Sequence, residues 1–192
     1  MSDLIRGDRR VLIFSAHAAD FCSRAGGTIA RLLRPFRCEL VGVKRTPDPD
    51  LARELGLAAL YTTDRLVEAV CNCQFLVLAV PLDDRTRGLI DAEIIEAMPR
   101  GSIIVNIARG PVLDKQALES ALRSGHLAAA GLDVFWDEPL DPQDSLLELD
   151  VLATPHAAGA CNLFTTKTAA AIAANIQRLA EQESLQWIVN PA

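Results

Sequence analysis

Apolar residues along this chain cluster in short β-branched runs separated by stretches in which they recur with helical spacing. Val11-Leu-Ile-Phe14, Glu39-Leu-Val-Gly-Val43, Phe75-Leu-Val-Leu-Ala-Val80, Ser102-Ile-Ile-Val-Asn106 and Ala129-Ala-Gly-Leu-Asp-Val134 predict buried strands. Helices are predicted over Thr28–Pro35, Asp48–Leu55, Thr63–Val70, Asp91–Ala97 and Asp114–Ser124. Asp114 is a good N-cap for the last of these, and Gly125 a good stop. A long alanine-rich helix is predicted over about Thr165–Glu181. Strands that are apolar almost throughout, alternating with helices, imply a parallel sheet covered on both faces. The expected fold is a doubly wound α/β domain spanning residues 1–192, with Pro47–Asp50 and Glu138–Asp144 as loops.

In such sheets ligands lie beyond the carboxyl ends of the strands. The positions to inspect are therefore Lys44 and Arg45, Pro81, Arg109, and the residues that follow Asp133.

Composition narrows the function. The chain has 192 residues, half of them hydrophobic and 23% charged, with a net charge of −6. Without a basic block to meet phosphates, a nucleic-acid partner is not expected. No apolar run approaches the roughly 20 residues that span a bilayer, and the N-terminus lacks a signal-peptide pattern, so the expected location is cytoplasmic. The five cysteines are odd in number and read as reduced thiols, with no paired metal-ligand spacing around Cys71-Asn-Cys73.

Three segments carry candidate chemistry. Asn106-Ile-Ala-Arg-Gly110 places an arginine just past the fourth strand. Gly131-Leu-Asp-Val-Phe-Trp-Asp-Glu-Pro139 places Asp133 and Glu138 around the end of the fifth. Val151-Leu-Ala-Thr-Pro-His-Ala-Ala-Gly159 places His156 after another short apolar run. Reduction of a 2-oxo acid by a hydride carrier calls for such a set. A guanidinium grips the carboxylate, an imidazolium gives a proton to the carbonyl oxygen, and a carboxylate orients the imidazole. Alone, such an arginine is more often a surface ion pair and such a histidine a satisfied loop residue, while Glu138-Pro139 alone is a plausible turn and Asp133 a plausible cap.

These segments, with Ala30-Arg-Leu-Leu-Arg-Pro-Phe36, Pro81-Leu-Asp-Asp-Arg-Thr-Arg-Gly-Leu-Ile90 and Ile188-Val-Asn-Pro191, resemble the D-isomer-specific 2-hydroxyacid dehydrogenases over about residues 30–191. The resemblance implies a Rossmann-type cofactor domain and a 2-oxo acid substrate such as glyoxylate or hydroxypyruvate. It implies Arg109 as the carboxylate anchor, His156 as the proton donor and Glu138 as the residue that tunes His156. It also implies Asp133 at the nicotinamide carboxamide and Val80, Pro81, Ile107, Ala108 and Gly159 in the cofactor pocket.

Cofactor choice follows from the end of the second strand, where an acidic residue suits NAD and a basic one NADP. Lys44 and Arg45 stand there with no acid before Asp48, so NADP is expected over NAD. The bland alternative is that both are solvated charges.

Two departures shape the expectations further. Counting back from Ile29, the three positions of the phosphate-binding glycine motif fall on Phe21, Ser23 and Gly26, of which Gly26 alone is glycine. The stretch from Val11 to Ile29 also resembles the opening of the zinc-dependent de-N-acetylase and 4-oxalomesaconate hydratase superfamily. That likeness would make His17 and Asp20 metal ligands of a hydratase or hydrolase, although a third ligand is lacking. The substrate domain that precedes the cofactor domain in dehydrogenases is not found, nor is their dimer-building arm. The activity of this chain alone is therefore expected to be slight, and a non-catalytic nucleotide-binding remnant stays open as an alternative. Association into a homodimer through exposed apolar surface is equally open.

Overall fold

A computed structural model describes residues 10–15, 23–36, 38–46, 48–158, 172–184 and 186. The chain divides into two compact units, Met1–Pro155 and His156–Ala192.

The first unit is a seven-stranded sheet in which every pairing is parallel. Its strands are β1 (Arg10–Ser15), β2 (Glu39–Val43), β3 (Ala59–Tyr61), β4 (Phe75–Ala79), β5 (Ser102–Asn106), β6 (Leu127–Leu132) and β7 (Val151–Ala153). They lie in the order β3-β2-β1-β4-β5-β6-β7, so the direction of chain progression reverses between β1 and β4. The helices are α1 (Ser23–Leu33), α2 (Pro49–Leu55), α3 (Leu66–Val70), α4 (Ala92–Ala97) and α5 (Lys115–Arg123). This is the Rossmann-type topology expected from the sequence.

The period of two along a strand explains why the sheet holds. Val11 and Ile13 join Leu40, Ala30 and Leu55 in one apolar cluster, with Phe75 and Val77 packed against it. Leu12, Leu76, Leu78 and Ile104 turn the other way, into a larger cluster with Leu66, Val70, Ile95 and Leu118 from α3, α4 and α5. Both faces of β1 and β4 are thus buried, which is why those runs read as continuous apolar sequence. The thiol of Cys73, just before β4, is fully buried and donates to the carbonyl of Ala69. Burial pushes that thiol up to about 11.

Helix starts follow their capping residues. Asp48, Asp91 and Asp114 accept backbone N–H bonds from Leu51, Ile94 and Ala117. Pro49 occupies the first turn of α2, so the expected Pro47–Asp50 loop gives way to helix at Pro49. Gly125 follows α5 at a φ of 64°, where a side chain would be strained. The strand β3 is not apparent from sequence patterning, and β6 spans Leu127–Leu132 instead of reaching Val134. α1 begins five residues earlier than expected, at Ser23, with Gly26 and Gly27 inside it.

In the second unit, residues 172–180 are helical, which covers part of the long helix expected there. Among the described residues, no helix is long and apolar enough to cross a membrane.

Candidate active site

Because every strand is parallel, all carboxyl ends emerge on one edge of the sheet. That edge carries Lys44 and Arg45 after β2, Val80 and Pro81 after β4, Ile107, Ala108 and Arg109 after β5, Asp133 and Glu138 after β6, and Thr154 after β7. β2 and β5 are three strand spacings apart, about 14 Å. The two basic residues and Arg109 thus stand at opposite ends of a long seat, with the β1/β4 reversal between them.

The end of β5 is organised by Asn106, whose side chain is fully buried. Its Oδ1 accepts the Ala108 N–H at 3.0 Å and its Nδ2 donates to the Arg109 carbonyl at 3.0 Å. One side chain therefore bonds the Ala108 N–H and, alongside the Val112 N–H, the Arg109 carbonyl, and so helps fix where Arg109 leaves the sheet. Arg109 is exposed and extended (φ −152°), and its Nη1 donates to the Ala108 carbonyl at 2.6 Å.

The Arg109 turn meets the loop after β6 directly. A Cβ on Gly110 would lie 2.1 Å from both the carbonyl carbon and oxygen of Phe135 and 2.5 Å from the Trp136 nitrogen. Only glycine permits so close a backbone approach. The Asp133 N–H donates to the Asn106 carbonyl at 3.0 Å, and the Trp136 Nε1 donates to the Leu113 carbonyl at 2.7 Å. Glu138 closes its own loop, since its Oε1 accepts the Phe135 N–H at 3.0 Å. Arg109 and Glu138 therefore stand on two loops that share backbone contacts, and both side chains belong to exposed residues.

Asp133 is 5% exposed, and its Oδ1 accepts a 2.5 Å bond from Thr154 Oγ1. The Thr154 N–H in turn donates to the Leu132 carbonyl. This ties the ends of β6 and β7 together. His156, one residue past Pro155, opens the second unit; it is exposed and takes a φ of 52°, uncommon for a residue other than glycine.

The Val80–Pro81 segment is braced by a turn further along the chain. Thr86 Oγ1 donates to the Pro81 carbonyl at 2.7 Å, and Asp83 Oδ1 accepts the N–H groups of Arg85 and Thr86. Val80 and Ala108 are buried and Ile107 partly so.

Lys44 is not the solvated charge of the bland reading. It is 9% exposed, and its Nζ lies 3.3 Å from Asp48 Oδ2, whereas Arg45 is exposed. Gly26 is buried within α1. His17, Asp20, Phe21 and Gly159 fall outside the described residues. Among the described residues, no group of three or more His, Cys, Asp or Glu is placed to hold a metal.

Sequence reading did not find Asn106, Gly110 or Thr154. A short polar residue that ends an apolar strand, and a glycine one residue after the candidate arginine, were the available signals.

Residues 22–158 match the profile of the D-isomer specific 2-hydroxyacid dehydrogenase, NAD binding domain. The chain belongs to the D-isomer specific 2-hydroxyacid dehydrogenase family. It is similar to glyoxylate reductase of Korarchaeum cryptofilum, with 36% identity over 80% of this chain and 45% of that one. It is also 35% identical to a glyoxylate/hydroxypyruvate reductase of Arabidopsis thaliana, over 69% of this chain and 40% of the relative. A D-isomer specific 2-hydroxyacid dehydrogenase of Xanthobacter autotrophicus, solved with NADPH and MES, superposes with a TM-score of 0.84 at 34% identity. That match covers 97% of this chain and 73% of that chain.

The chain thus spans about 45% of the Korarchaeum relative and carries the family's NAD-binding domain. The likeness of residues 11–29 to a zinc-dependent superfamily finds no support. Arg10–Ser15 is instead an inner strand of the sheet, paired with both β2 and β4.

Proposed function

We propose that this chain is the cofactor-binding part of a reductase that converts a small 2-oxo acid, such as glyoxylate or hydroxypyruvate, to the D-2-hydroxy acid. The observation that carries this reading is the joining of the Arg109 turn to the Asp133–Glu138 loop through Gly110 and Asn106, at the carboxyl edge of a parallel sheet. The reading adds the implied positions Val80, Pro81, Ile107, Ala108 and Gly159 as the lining of the nicotinamide pocket, with Gly26 near the pyrophosphate.

NADP is preferred over NAD in this reading, supported by Lys44 and Arg45 at the end of β2 and by the NADPH in the Xanthobacter relative. When bound, the cofactor supplies the hydride. Arg109 holds the substrate carboxylate by a two-point fork, leaving its 2-oxo carbon oriented. In this reading His156 is the donor of the proton to the carbonyl oxygen, and Glu138 is assigned as its partner from the family resemblance. Asp133, buried and held by Thr154, offers an acceptor for the carboxamide. Fixed donors at the place where charge develops stabilise the alkoxide without reorganisation.

A cytoplasmic location is part of the proposal, supported by the free thiol of exposed Cys71. So is self-association as a homodimer, supported by the exposed apolar side chains of Leu32, Phe36 and Leu152.

Titration of the chain with NADPH, followed by cofactor fluorescence, tests the reading together with the His156→Gln variant. The expected result is saturable binding in both proteins, and glyoxylate reduction that is slow in the wild type and absent in the variant. No binding at millimolar cofactor would make the chain a non-catalytic module. Turnover that survived in His156→Gln would remove the assigned proton donor.

A further inference from the structure

At the carboxyl end of β2 two charges, those of Lys44 and Asp48, are set by the fold. The Lys44 N–H donates to the Tyr61 carbonyl at 3.0 Å, which pins the lysine backbone to β3 and holds its side chain under cover. The ammonium meets Asp48 Oδ2 at 3.3 Å. The other oxygen of that carboxylate, Oδ1, accepts the Leu51 N–H at 3.0 Å, so Asp48 is held from its helix side as well. The Asp48 carboxyl is lowered from its ordinary value by these same two contacts, the backbone bond first. Nearby, Asp50 is paired with Arg53. Arg45 is exposed and makes no hydrogen bond or ion pair among the described residues.

Lys44 and Asp48 together present no net charge. Of the two basic residues at the strand end, Arg45 is then the uncompensated one. Resting on the proposed cofactor seat, we infer that Asp48 sets the cofactor preference: it neutralises Lys44, leaves the 2′-phosphate to Arg45, and so restrains discrimination in favour of NADP(H). A carboxylate held at this edge also repels a 2′-phosphate dianion while leaving a 2′-hydroxyl unopposed. The acid that sequence spacing places too far along the chain to matter is folded back onto the lysine by the turn between them.

The test is the ratio of NADH to NADPH dissociation constants, measured by fluorescence at low ionic strength. Asn caps a helix as well as Asp, so Asp48→Asn retains the Leu51 bond and removes only the charge. The expected outcome is a ratio moved about fivefold toward NADPH, as for one charge several ångströms from a dianion in a largely aqueous setting. The gain shrinks as salt is added. Asp48→Glu, which retains the charge, keeps the wild-type ratio, and Arg45→Ala lowers it.

An unchanged or lowered ratio in Asp48→Asn overturns the inference, as does an equal shift in Asp48→Glu, which would mark a structural effect. A wild-type chain that binds neither cofactor overturns the cofactor seat itself, and this inference with it. A wild type that binds both, with Asp48→Asn silent, overturns this inference alone.

Discussion

Gly110 lies flat against the peptide that joins Phe135 to Trp136, with no room for a Cβ between them. The contact involves backbone on both sides, so no rotamer change can relieve an added methyl. Gly110→Ala is expected to destabilise the first unit by about 3 kcal/mol or more, because the two loops must part. Urea unfolding followed by tryptophan fluorescence measures it, and Trp136 sits on the displaced loop. A midpoint like that of the wild type would show that the loops separate freely.

Asn106 is the second joint. Asn106→Ala removes one donor and one acceptor from a fully buried place and leaves the Ala108 N–H and Arg109 carbonyl without those partners. A loss of about 2–4 kcal/mol is expected in the same assay. The loss exceeds that of an exposed polar substitution such as Gln116→Ala, which makes a convenient control.

Thr154→Val keeps the shape of the side chain and deletes the hydroxyl that donates to Asp133. A buried carboxylate then loses a short charge-assisted bond, for an expected cost of about 1.5–3 kcal/mol. Thermal unfolding of wild type and variant at equal protein concentration reads it. Equal stability would mean that water replaces the hydroxyl at no cost.

Asp144 and Lys115 give a pH-dependent contribution. The Lys115 ammonium, 2.6 Å away, and the Leu146 N–H hold the Asp144 carboxyl below its ordinary value of 3.8. A carboxyl lowered in the folded state stabilises the fold above its unfolded value and loses that contribution as pH falls toward the lowered one. Lys115 is raised above 10.5 by the same partner, so its share is present below that value and lost above it. The urea midpoint of the wild type should therefore fall more steeply than that of Asp144→Asn below about pH 4. Parallel curves would show that the pair adds nothing.

Much of this arrangement was legible beforehand because the sheet is parallel and doubly covered. β1 and β4 are apolar on both faces, so their runs stand out whatever the register. β3 hid because Ala59–Tyr61 is three half-buried residues at the sheet's edge, too short to show a period. The start of α1 hid behind Gly26 and Gly27, which lower helix propensity where the helix in fact runs. Arg109, Asp133 and Glu138 could be placed at strand ends by counting alone. What holds them could not, since Asn106 and Gly110 act through backbone contacts made across the fold. Lys44 shows the same limit. Its charge is plain in the sequence, but its burial and its return partner four residues on depend on the turn after β2.

The buried thiol beneath β4 gives this protein an internal reporter. With its proton held to about 11 and no surface exposed to solvent, Cys73 stays unreactive for as long as the sheet is closed. Its rate of alkylation, read by peptide mass spectrometry, then tracks opening of the sheet centre, and does so without any engineered label. Cys71, two residues earlier and exposed, is modified at once and serves as the reference within the same peptide.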